Sequence, residues 1–226
     1  MEIIHDDALH WLRGQSNVPN VVTGICDMDE MDSGKSMSHT EYLNFFTTAA
    51  RLIMEKVDPR GYAIFIQTSR KFQRSLIDKS YLLSKIAESL GLKMIWHKIV
   101  LQRDVDSRDL YRPTYSHMLC YSRSGTTGAA TPDVIPVSKK LYKNGTPIEA
   151  ALRAVKFIKE NTGSKPVIVD PFVGRGTVVA VANHLGLSAI GVDMDEKQVK
   201  YARQLKLPLS QSLSRPSPKR KLLKAT

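Results

Sequence analysis

The chain has 226 residues and a formal net charge of +11, from 33 Lys and Arg against 22 Asp and Glu. Hydrophobic residues make up 42% of it, enough for a sizeable core, which excludes wholesale disorder. Two cysteines, Cys26 and Cys120, are too few for a disulfide-stapled scaffold or a four-thiolate zinc site, and no stretch reaches the ~18 consecutive apolar residues of a membrane span.

In chain order, strand-like and helix-like segments alternate, the pattern of an α/β fold with a largely parallel sheet. Met1–His5 reads as a short strand, and the acids that follow it are unlike a signal peptide, so an intracellular, reducing compartment is expected. A helix around Ala8–Arg13 comes next, then a β-branched strand over Asn20–Cys26. Ser38 and Glu41 have the spacing of a capping box, opening a helix to about Val57 with Tyr42, Phe45, Phe46, Ala49 and Ile53 at helical intervals. Tyr62–Gln67 is a third strand, and Asp78 caps a helix ending at Gly91. Lys93–Gln102 and Tyr115–Ser122 are expected to pair antiparallel, which brings His97 and His117 within reach of each other. Residues 122–136, rich in Gly, Ser, Thr and Pro, read as a flexible connector. Thr146 and Glu149 suggest a second capping box, with Pro147 at the first helical position. The helix ends near Gly163. Pro166–Asp170 is a strand, a helix starts near Thr177, Ser188–Asp193 is the last strand and Asp195–Gln204 the last helix. One domain is expected over 1–206, and a disordered basic tail over 207–226.

The run Asp170-Pro171-Phe172-Val173-Gly174-Arg175-Gly176-Thr177 carries the chemistry. A strand enters a Gly-x-Gly turn and a helix leaves it, so a ligand can approach the backbone and the free N–H groups of the helix start. A dinucleotide fingerprint needs a third glycine where Val179 stands, and a P-loop needs a Lys before Thr177; both are missing. Asp193 ends the next strand, where a carboxylate can accept hydrogen bonds from both hydroxyls of a ribose.

This run resembles the cofactor loop of the S-adenosylmethionine-dependent amino-methyltransferases of DNA and RNA, and the chain order resembles their permuted β-type, from Glu2 to Arg203. The resemblance implies a Rossmann-like class I methyltransferase sheet, circularly permuted, with an antiparallel pair at one edge. It implies S-adenosylmethionine as cofactor, with Gly174, Gly176 and Asp193 holding it and Asp170, Phe172 and Thr177 shaping its pocket. Asp7 would contact the adenine ring, and Asn144 and Thr146 the methionine end.

The likeness breaks at the acceptor motif, which in the family is Asp, Asn or Ser, then Pro-Pro, then an aromatic. Gly24, Ile25, Cys26 and Asp27 stand there instead, followed by Met28-Asp29-Glu30-Met31-Asp32. Asp27, Asp29 and Glu30 are candidate catalytic carboxylates that would orient or deprotonate an acceptor nitrogen, Asp27 first; the plain alternative is a solvated acidic loop. No metal site is expected. Arg70, Lys71 and Arg74 after the third strand are candidate phosphate contacts, or else a solvated helix entry. Tyr111 and Tyr115 would present aromatics to a base or pack a hairpin end. The connector is too short to be an independent reading head, so a structured RNA, a substrate presented by a protein partner or a small acceptor fits better than sequence-specific recognition of duplex DNA.

The charge is unevenly placed. Nine Lys and Arg and no acid lie from Lys197 onward, while residues 1–196 carry only +2. Lys219, Arg220 and Lys221 form a candidate nuclear-import or RNA-gripping patch. The first reading is a methyltransferase acting on a nitrogen of tRNA, rRNA or snRNA, with RNA preferred to DNA and no membrane. The alternatives are a DNA amino-methyltransferase, a small-molecule methyltransferase, and an inactive subunit that binds S-adenosylmethionine and RNA.

Overall fold

The computed structural model describes residues 1–31, 37–163 and 165–207. Its elements in chain order are β1 (Glu2–His5), α1 (Ala8–Gly14), β2 (Val21–Thr23), α2 (Met28–Met31), α3 (His39–Lys56), β3 (Ala63–Gln67), β4 (Arg70–Phe72), β5 (Ser75–Ile77) and α4 (Lys79–Ser89). Then come β6 (Lys93–Leu101), β7 (Tyr115–Ser122), β8 (Val134–Ile135), α5 (Ile148–Asn161), β9 (Val167–Asp170), α6 (Thr177–His184), β10 (Ser188–Asp193) and α7 (Glu196–Gln204).

Eight strands form one sheet in the order β1-β10-β9-β2-β3-β7-β6-β8. All neighbours from β1 to β3 are parallel, β7 runs antiparallel to both β3 and β6, and β8 is parallel to β6. The interior strands need apolar side chains on both faces, and all five residues of β3 are buried. One face of the sheet packs against α5, α6 and α7 through residues such as Ile64, Ile66, Val155, Val179 and Val199. The other packs Val21, Ala63, Phe65 and Val169 against α1, α3 and α4, whose contributions include Leu12, Phe46, Ile53 and Leu83.

The capping box at Ser38 forms: Glu41 N–H donates to Ser38 Oγ at 3.2 Å, and Ser38 N–H donates to Glu41 Oε2 at 2.8 Å. Asp78 caps α4 as expected, accepting from the N–H groups of Ser80 and Tyr81. The expected antiparallel pairing also forms, and His97 Nε2 lies 2.9 Å from His117 Nδ1.

Four expectations need correction. The second strand stops at Thr23 rather than Cys26, because the Ile25 carbonyl is taken by the Gln67 side chain at 3.0 Å. The second capping box does not form. Pro147 is itself the N-cap, α5 begins at Ile148, and Glu149 N–H donates to Ser138 Oγ, eleven residues upstream. The connector is not free chain: it contributes β8, and Lys98 Nζ donates to the carbonyls of Thr131 and Pro132 at 3.1 and 3.0 Å. The segment after β3 is no helix entry but the β4–β5 hairpin, with Gln73 and Arg74 at φ 47° and 63°. Such turns usually carry Asn-Gly or Asp-Gly, so Gln-Arg gave no signal.

Candidate active site

Parallel strands present their C-terminal ends to one rim, where open α/β sheets place ligands. β9 ends in Asp170, and the chain turns back through Gly174 (φ 51°) and Gly176 (φ 91°) into α6. A Cβ on Gly176 would meet the Ala202 backbone of α7 at 3.0 Å, so the turn needs glycine both for its dihedral and for its packing. Asp193, at the end of β10, accepts from Gly174 N–H at 2.9 Å and Asp195 N–H at 2.9 Å, one on each oxygen. Each oxygen keeps a lone pair for a further donor. Burial raises its pKa above the ordinary carboxylate value. Asp170 is buried deeper, accepts from Thr23 Oγ1 at 2.7 Å and Phe172 N–H at 3.2 Å, and its pKa is pushed up by burial to about 7. It is a structural post for the turn. Thr177 is buried, its Oγ1 without a well-formed hydrogen bond among the described residues. Phe172 meets Phe45 of α3 edge-on at 6.0 Å.

Tyr142 had no sequence signal. Its hydroxyl accepts from Arg175 N–H at 3.2 Å, and the Arg175 guanidinium lies between the Tyr142 and Tyr201 rings, 5.4 and 4.6 Å from their centroids. This ties the loop before α5, with exposed Asn144 and half-buried Thr146, to the glycine turn. Asp7 follows β1 beside the end of β10, where Asp6 N–H donates to the Asp193 carbonyl. One Asp7 oxygen caps α1 through His10 N–H at 2.8 Å.

After β2 the acidic segment, which includes α2, is tied into an ionic network, although Asp29 and Glu30 stay exposed to solvent. Asp27 Oδ1 takes Arg70 at 3.2 Å, Lys79 Nζ at 3.2 Å and Met28 N–H at 2.9 Å. Asp29 pairs with Arg70 and Arg112, both at 3.0 Å, and Glu30 Oε2 accepts from Asp27 N–H. Lys79 is fully buried, with its ammonium over the rings of Tyr42 and Phe46. Burial opposes the charge of Asp27, but Lys79, the Met28 N–H and Arg70 outweigh it and hold its carboxyl below the ordinary range. Asp27 is therefore ionised and a weak base. Gln67, at the end of β3, keeps its Oε1 buried with no partner among the described residues.

Arg70, expected on phosphates, is instead spent on Asp27 and Asp29, because the unforeseen hairpin folds it back over the loop. Lys71 Nζ donates to the Asp109 carbonyl at 2.6 Å, and Arg74 stands exposed at the hairpin tip. Lys219, Arg220 and Lys221 lie outside the described residues. Burial and the charges of Glu30 and Asp193 push the Cys26 thiol up to about 12, which disfavours its thiolate near neutral pH. Among the described residues no group of three or more His, Cys, Asp or Glu could hold a metal ion, and no helix is long and apolar enough to cross a membrane.

Residues 152–204, about a quarter of the chain, match the model of the N6/N4 methyltransferase family, described as DNA methylase. No curated protein matches the sequence. Among solved structures, a Thermus thermophilus protein provisionally termed a DNA modification methylase, in complex with S-adenosyl-L-methionine, is 16% identical with a TM-score of 0.68, covering 89% of this chain and 90% of that one. The cytosine-N4-specific PvuII DNA methyltransferase is 15% identical with a TM-score of 0.66, covering 92% and 87%. The M1.HpyAVI–SAM complex is 15% identical with a TM-score of 0.59, covering 89% and 98%. The chain carries the fold of the S-adenosylmethionine-dependent methyltransferases, in the strand order of their β-type amino-methylating class, and its residues 152–204, which include the glycine turn and Asp193, bear that family's sequence pattern.

Proposed function

We propose that the chain transfers the methyl group of S-adenosylmethionine to an amino nitrogen of a nucleic-acid base. The observation that carries this reading is the meeting, at one rim, of the positive-φ glycine turn and Asp193 with the ionised Asp27. When bound, the cofactor supplies an electrophilic methyl on a cationic sulfur. Gly174 would let it lie against the backbone of the turn that Gly176 holds against α7, Asp193 would accept the ribose hydroxyls, and Phe172 and Thr177 would line the pocket. Asp7 would contact the adenine ring, and Asn144 and Thr146 the methionine end. Attack of the acceptor lone pair on that methyl would form the N–C bond, break the C–S bond to release a neutral thioether, and leave the nitrogen to give one proton to solvent. Asp27 accepts an N–H of that amine and aims its lone pair; held at low pKa by two cations, it orients rather than deprotonates.

The similar solved structures are named as DNA methylases, which favours DNA over the RNA that the sequence suggested. A non-catalytic binding subunit is the second reading. It is favoured by one observation: the Ile25 and Cys26 carbonyls, where the family offers a carbonyl to the amine, already accept from Gln67 and Tyr42.

Calorimetry and nucleoside mass spectrometry test the proposal together. Wild-type protein should bind S-adenosylmethionine and methylate DNA, and Asp193→Ala should lose cofactor binding. Asp27→Asn should keep the cofactor but lose turnover by about 100-fold. Unchanged affinity in the first variant, or full turnover in the second, would refute the assignments. Cofactor binding with no methylation of DNA or RNA would favour the binding subunit.

A further inference from the structure

The loop joining β6 to β7 rises from the same rim as the acceptor strand, because β6 and β3 both run antiparallel to β7. It is braced at one residue. Asp109 Oδ1 accepts from the N–H groups of Tyr111 and Arg112 at 2.8 and 2.9 Å, and its Oδ2 pairs with Arg103 at 2.8 Å. Lys71 of the β4–β5 hairpin donates to its carbonyl, and Arg112 reaches Asp29 of the acceptor loop. On this fixed turn Leu110 and Tyr111 stand out, 78% and 77% exposed. None of the described residues covers them, yet the brace holds them in place beside the acceptor site.

Between this loop and the hairpin lies a groove of about 360 Å³ lined by Lys71, Leu76, Arg108, Arg112, Pro113 and Tyr115, among others. The only acid in its wall among the described residues is Asp109, which Arg103 neutralises. Lys71 rests on a neutral carbonyl, so its charge stays available. A positive groove beside an adjacent Leu–Tyr pair is complementary to a nucleic-acid duplex: phosphates in the groove, apolar side chains against the base stack. A base inside a duplex cannot reach a pocket at the sheet rim, and extruding it costs a few kcal/mol of unstacking.

We propose that Leu110 and Tyr111 form a wedge that enters the base stack of duplex DNA beside the target base, while Lys71 and Arg108 hold the strand's phosphates. The proposal rests on the nucleic-acid reading above and gives it a means of opening a duplex.

The test uses the full chain, radiolabelled S-adenosylmethionine, and plasmid DNA free of methylated bases, either native or heat-denatured. Leu110→Ala/Tyr111→Ala should lose at least about tenfold of its labelling of native DNA and stay within about twofold of wild type on denatured strands. Cofactor affinity, read by calorimetry, should be unchanged, which separates a wedge defect from misfolding. Equal losses on both forms, no loss on native DNA, changed cofactor affinity, or a wild type that labels only denatured strands would each overturn the wedge. A wild type that labels neither form would instead overturn the nucleic-acid reading itself.

Discussion

Asp170 sits at the end of β9 with 4% of its surface exposed, and Thr23 is the one side chain donating to it among the described residues. An unfolded Asp titrates near about 3.9, whereas burial holds this one to about 7. As pH rises between those values, the unfolded chain releases this proton first and the folded chain retains it. Folding therefore loses stability through that window, and the cost is complete above the folded value. Asp170→Asn keeps an acceptor for Thr23 and removes the charge. Its melting temperature should exceed that of wild type by more at pH 8 than at pH 5; an equal gap at the two pH values would refute the buried charge. The motif made this residue visible, but its role was not, because burial is a property of the packed sheet. Lys79 shows the same limit. It opens α4 directly after the capping Asp78, yet it is enclosed by Tyr42, Phe46 and Asp27 and neutralises the leading catalytic candidate, and nothing in the sequence singled it out.

Two helices carry the same Ser/Thr-x-x-Glu spacing, and only one uses it. Ser38 has an extended backbone and accepts from the third helical N–H, so Ser38→Ala should cost about 1 kcal/mol in urea unfolding. Thr146 precedes the true N-cap, Pro147, and makes no capping bond. Thr146→Ala should change stability by less than about 0.5 kcal/mol; a loss equal to that of Ser38→Ala would show that the box forms in solution. The distinction was illegible in the sequence because Ser138, which takes the Glu149 N–H, comes from a neighbouring loop. The β4–β5 hairpin was hidden for a different reason: both of its turn residues lie at positive φ without the side chains that favour it. That hairpin moved Arg70 from the substrate to the acidic loop and created one wall of the groove.

Over the whole molecule, charge is segregated. The segment from residue 208 carries five Lys and Arg and no acid, while residues 1–196 are near neutral at +2. If the tail grips phosphates, ending the chain at Leu207 should weaken DNA binding and reduce the slope of log K against log salt by up to about 4.5, close to 0.9 per lost contact. Cofactor affinity should not change. A slope equal to that of the full chain would remove the tail from the interface.

The sequence by itself missed, among the described elements, only the short α2, β4, β5 and β8, and it determined the order of the longer strands and helices, the glycine turn and the acid that ends β10. These follow from local rules: apolar period, capping chemistry and the positive φ that Gly174 and Gly176 supply. The resemblance of that turn to a methyltransferase cofactor loop was likewise legible without coordinates. Tertiary structure decided the rest. It placed Tyr142 under the turn, paired Asp27 with Lys79 and Arg70, and set Leu110 and Tyr111 beside the acceptor site. Those contacts join residues far apart in the chain, and their energies depend on burial and on neighbouring charge, which no local pattern encodes.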